Sequence, residues 1–170
     1  MILVEGKAHA TELRVEGKIK QQRKNAQEQA RTDANHEKIG KAISEVSLAL
    51  QHIVPGISLT RDRCYQFANR IAFSWKLASM RIPVAIIYLG FIGDVGISSG
   101  VDDSFSEPKR WRKAFAEHTA QHFPVKMRGC EINCDSASFW LLVRELQVLR
   151  QSPPVGQRSI LKLPAVECER

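Results

Sequence analysis

The nine residues from Val84 to Ile92 (VAIIYLGFI) constrain the fold more than any other stretch of the chain. They are almost all apolar, mostly β-branched or aromatic, and follow directly on Pro83. A run this long is far short of the roughly 20 residues that span a bilayer. It predicts a central strand covered on both faces. Helical patterns on either side of it then place the chain in the α/β class.

Those patterns are specific. Ile39, Ile43, Val46, Leu50 and Ile53 recur at spacings of three and four, which predicts an amphipathic helix from His36 to Ile53. Asn35 is the expected N-cap, and Pro55-Gly56 stops the helix. A second helix is predicted from about Arg61 to Met80, capped by Thr60, with Asp62 near its positive end. Its buried stripe would be Tyr65, Ala68, Ile71, Ala72, Trp75 and Ala78. A third follows Ser106 as cap, with Pro108 in the first turn and Trp111, Phe115 and His118 on one stripe.

Met1 to Ala8 reads as a strand, and Val125 to Asn133 as another. Ser138 to Leu149 fits strand or helix. Gly17 to Ala34 is polar and reads as helical or loosely ordered, and Gly93 to Phe105, rich in Gly, Ser and Asp, as a loop. Pro153-Pro154 sets off a tail in which Ser159 to Leu163 suggests an edge strand. The expected organisation is one domain over residues 1–150 and a C-terminal tail over 151–170. A chain of 170 residues is long enough to bury a real core. Its four cysteines are too few and too scattered for a secreted disulfide scaffold. With no basic-then-apolar signal pattern at the start, a cytoplasmic location is expected.

Lysine and arginine total 25 against 18 acidic residues, a formal net charge of +7. That balance favours polyanionic partners. One basic cluster runs from Lys7 to Arg31 and includes Lys18, Lys20, Arg23 and Lys24; a second is Lys109, Arg110, Arg112 and Lys113. Aromatic residues are not interleaved with either, so phosphate-backbone contact is expected ahead of base stacking.

The sharpest chemical feature is Glu5-x-Lys7. Alternate residues of a strand share a face, so carboxylate and amine would project together. The carboxylate can hold Mg²⁺, and the lysine can orient or help deprotonate a water attacking a phosphodiester. The structural alternative is an ordinary strand end carrying two charged residues.

The segment Ile2-Leu3-Val4-Glu5-Gly6-Lys7-Ala8-His9 resembles the catalytic strand of the PD-(D/E)xK nuclease superfamily, the restriction-endonuclease-like fold. The following helices, the second carrying Tyr65-Gln66 and Asn69-Arg70, and the strand from Val84 to Phe91 are similar to the back half of that core. The resemblance covers roughly residues 1–123. It implies a mixed sheet flanked by helices and Mg²⁺-dependent cleavage of nucleic acid, DNA ahead of RNA. Glu5 would be the metal ligand, Lys7 would stand beside the water, and Gln66 would be a supporting amide. Lys18, Lys20, Arg23, Lys24 and Arg70 are the expected nucleic-acid contacts.

The family also uses an acid on a preceding strand, and only Met1 to Val4 precede Glu5. The expectation is therefore an N-terminally incomplete domain that cleaves DNA poorly alone. It would be a fragment, an inactive relative, or a chain whose homodimer mate or other partner supplies the acid. The alternative is a non-catalytic nucleic-acid-binding or protein-assembly module on the same scaffold. A zinc site from His118, His122, Cys130 and Cys134 is a further, looser possibility, because the pairs share a spacing of four. The glycines from Gly90 to Gly96 lack the spacing of a nucleotide-binding turn.

Overall fold

The computed structural model describes residues 1–13, 15–94 and 104–148. In chain order these form β1 (Ile2–Lys7), α1 (Ala26–Gln51), α2 (Tyr65–Ser79), β2 (Val84–Ile92), α3 (Pro108–Thr119), β3 (Glu131–Cys134) and β4 (Ala137–Gln147). The strands make one mixed sheet in the order β1-β2-β4-β3. β2 runs parallel to both β1 and β4, and β3 closes one edge antiparallel to β4. The α/β class expected from the sequence is what the chain adopts. Among the described residues no helix is long and apolar enough to cross a membrane.

β2 is central, as its composition predicts, but only one of its faces is fully packed. Val84, Ile86, Tyr88, Gly90 and Ile92 are buried, while Ala85, Ile87, Leu89 and Phe91 between them are half-exposed. Phe67 of α2 and Phe115 of α3 lie against Tyr88, with ring centroids 5.9 and 4.8 Å away. The expectation of cover on both faces is corrected here. An unbroken apolar run carries no alternation from which to read that one side is less covered.

The helices begin elsewhere than predicted. α1 starts ten residues earlier, because Asn25, not Asn35, is the cap: its side-chain oxygen accepts from the Gln27 N–H at 2.8 Å. Ala26 to Arg31 are Ala, Gln, Glu and Arg, and neither Gly nor Pro follows before the apolar stripe, so helix propensity extends the element beyond that stripe. α2 starts later than Arg61. The N–H groups of Cys64 and Tyr65 donate to the carbonyls of Val15 and Glu16, and the Lys18 N–H donates to Arg61. Residues 61–64 are thereby held in a bent, non-helical path, with Glu16 bridged to Arg63, and Cys64 turns the chain at φ 47°. Thr60 instead accepts from the Asp62 N–H. Glu107 rather than Ser106 precedes α3, with Pro108 at its first position.

α2 buries Phe67 and Ser74 in addition to Ala68, Ile71, Ala72 and Ala78, whereas Tyr65 and Trp75 are only half-buried. Val125–Met127 is a short 3₁₀ turn, which leaves only Glu131–Cys134 as strand. The ambiguous segment after it is strand β4. Arg14, most of the predicted loop after Gly93, and the tail with its predicted edge strand lie outside the described residues.

Candidate active site at the end of the first strand

Along β1 the side chains alternate. Leu3, Glu5 and Lys7 turn to the helical face, and Ile2, Val4 and Gly6 to the other. Pairing with β2 sets Glu5 beside Tyr88 and Lys7 beside Gly90. α2 crosses this face and presents Gln66 and Arg70, four residues apart on one side of the helix.

The four groups meet. The Lys7 ammonium lies 3.0 Å from Glu5 Oε1 and donates to Gln66 Oε1 at 3.3 Å. Arg70 Nε donates to Glu5 Oε2 at 3.0 Å. Lys7 is only 7 % exposed, whereas the Arg70 side chain is 45 % exposed. Burial works to raise the Glu5 pKa, but the hydrogen bonds and charges of Lys7 and Arg70 outweigh it and hold the carboxyl below its usual range. Two cations on one carboxylate leave the spot with an excess of positive charge.

Two further polar groups line the inner side; the sequence does not single out Tyr88, and as a site residue it offers His118 only as a loose zinc candidate, not as part of this site. The Tyr88 hydroxyl is buried without a hydrogen-bond partner. Burial raises the phenol pKa strongly and the Glu5 charge adds to it, so the group stays protonated. His118 on α3 sits with Nδ1 3.8 Å from the Cys64 sulfur. Burial, then the charges of His122 and Lys7, push its pKa down to about 4, so the ring is neutral at pH 7. The one usable sequence signal was a tyrosine inside an otherwise apolar strand.

Because its hydroxyl is unpaired, Tyr88→Phe should leave folding stability unchanged or raise it by up to about 1 kcal/mol. Urea unfolding checks this. A loss above about 1 kcal/mol would mean that the hydroxyl holds a buried water.

Of the other expected contacts, Lys18 lies over the Tyr65 ring at 5.0 Å and lines a cleft of about 440 Å³ together with Gln66. Lys20 is paired with Asp33 at 3.0 Å. Arg23 and Lys24 are exposed, and Asn69 faces the groove between α1 and α2 instead of the site. In the second basic cluster, Arg112 is paired with Glu145 and Lys113 with Glu117.

Glu5 contributes one carboxylate, with an oxygen engaged by each neighbouring cation. Among the described residues no group of three or more His, Cys, Asp or Glu forms a metal cage. The looser zinc reading fails on position: His122 bonds the Ser58 carbonyl at 2.8 Å, Cys134 is buried on β3 and Cys130 is exposed. Mg²⁺ fits a single carboxylate when waters and phosphate oxygens complete its shell, and such a site is weak. Comparison of the chain with family models, curated proteins and solved structures finds no match.

Proposed function

We propose that the chain is a restriction-endonuclease-like domain that hydrolyses DNA phosphodiesters with Mg²⁺, or derives from one that does, and is slow by itself. The observation that carries this reading is the convergence of Glu5 and Lys7 from β1 with Gln66 and Arg70 from α2. Glu5 would hold the cation, which when bound supplies Lewis-acid polarisation of the phosphodiester.

Lys7 is fixed by two partners and nearly buried, so its amine can orient an attacking water without wandering. Gln66 keeps that amine in place. Arg70 is exposed enough to exchange the carboxylate for a phosphate oxygen, a charge-assisted bond of similar strength. The slowness follows from the donor set, because one carboxylate already shared between two cations binds Mg²⁺ poorly. A second acid from a homodimer mate or other partner chain would complete it. A cytoplasmic setting belongs to the same proposal.

The test is incubation of the pure chain with duplex DNA, with and without Mg²⁺. Slow scission that needs Mg²⁺ and stops on chelation is expected. The engagement of both Glu5 oxygens favours one competing reading, a non-catalytic nucleic-acid-binding module. Salt-sensitive binding with no scission at any Mg²⁺ concentration would establish that reading in place of the nuclease.

A further inference from the structure

Three surface hollows join into one strip beside the site. The cleft at Gln66 and Tyr65 shares Lys18, Ile19 and Gln21 with a neighbouring cleft on α1. That cleft shares Lys20 and Arg23 with a third hollow at Gln22 and Gln29. The middle cleft is lined by Lys18, Lys20, Arg23, Arg31 and His36, and no carboxylate lines it. Glu16 is the carboxylate that lines the cleft at the active-site end. Asp33 is the local counter-charge, and it is taken by Lys20 at 3.0 Å and the Gln29 amide at 2.6 Å.

The strip is a built surface and not a solvated tail. The Lys18 N–H donates to the Arg61 carbonyl at 2.8 Å, and its own carbonyl is bonded by His36 Nε2 at 2.9 Å. Arg61 in turn donates to the His36 carbonyl at 3.0 Å. Segment and helix are thus tied together at the point where the basic side chains emerge. The fold also brings Tyr65 under Lys18, which sets an aromatic face between the strip and Gln66. An aromatic face adjoining a basic groove is how single strands are held.

We propose that this strip is a track for a single nucleic-acid strand leading away from the Glu5–Lys7 site, with Arg31 of α1 as one of its phosphate contacts. The inference deepens the nucleic-acid reading above but does not depend on catalysis. Arg31 is exposed, and among the described residues no carboxylate is ion-paired with it. Lys38, on the same helix, is also exposed but lines none of the three hollows. Replacing either removes the same charge, so the two separate a track from bulk attraction.

The experiment measures fluorescence anisotropy of a labelled single-stranded DNA of about 15 nucleotides, within the usual range of single-strand site sizes, with chelator and no metal. Arg31→Ala should weaken binding about threefold to tenfold and lower the salt slope by about 0.7. Lys38→Ala should stay within about twofold. Equal losses in the two variants, or none in either, would overturn the track, as would tighter binding of a duplex that ignores Arg31→Ala. If the wild type binds neither DNA, track and nucleic-acid reading fall together. If the wild type cleaves DNA while Arg31→Ala binds normally, the track alone falls. Matching unfolding midpoints for both variants exclude a folding defect.

Discussion

Trp111→Ala is expected to cost about 3–5 kcal/mol of folding stability. The indole is fully buried and rests on β2 at Gly90, where an added Cβ would come within 2.5 Å of its ring. Phe105 and Phe115 flank it at 5.1 and 5.4 Å, and its Nε1–H donates to the Arg144 carbonyl at 2.9 Å. Truncation therefore empties a large volume and removes a partly buried hydrogen bond at once. For a chain of this length each kcal/mol moves the melting temperature by about 2–4 °C, so a fall of at least about 6 °C is expected.

Trp111→Phe keeps most of the volume and loses only the hydrogen bond, so its cost should stay near 1–2 kcal/mol, an order-of-magnitude figure. Because Gly90 pairs with Lys7 across the sheet, loosening this contact also loosens the floor of the site. Urea unfolding of the two variants checks the ranking. A loss below about 1 kcal/mol for the alanine variant would show that α3 does not dock through this residue.

How far the sequence reveals this arrangement depends on which physical signal each part carries. β1 and β2 are legible because strand composition and the period of two are local. The meeting of Glu5 with Lys7 is legible for the same reason: two positions along a strand return to the same face. The sequence predicts Arg70 as a phosphate contact, whereas its bond to Glu5 comes from 65 residues away. No local pattern encodes that, since it depends on the crossing of α2 over the sheet.

The start of α2 differs from the expected one for a related reason. The residues that delay the start of the helix belong to another segment, Val15 to Lys18, which takes the backbone groups that helix formation would have used. The start of α1 is different, because the signal was present: Asn25 before Ala-Gln-Glu-Gln-Ala is a good cap and first turn. Apolar periodicity begins only at Ile39 and points to a later start than propensity does. The place of Tyr88 and His118 beside this site shows only in three dimensions, through a missing partner and the nearness of Lys7.

Lys7→Ala should slow Mg²⁺-dependent scission by about 10²–10³-fold, the range expected for a positioned proton-handling group, while DNA affinity changes by about threefold at most. The split follows from exposure. Lys7 is almost buried between Glu5 and Gln66 and touches little solvent, whereas Arg70 stands at the surface for the phosphate. Arg70→Ala should therefore show the reverse, with a larger loss in affinity than in rate. The pH profile adds an independent readout. In the wild type, burial raises the Glu5 pKa, and the hydrogen bonds and charges of Lys7 and Arg70 pull it below its ordinary value of 4.5. Taking Lys7 away withdraws the foremost of the lowering influences, so the carboxyl titrates higher and the acid limb of activity moves up in pH. The stability linked to Glu5 has the same sign: it is present above the ordinary carboxyl pKa and lost as pH falls through the lower folded value, and the alanine variant loses part of it. A lysine that only supports the fold would give another pattern, with rate and affinity falling together. That outcome would take Lys7 out of the chemistry.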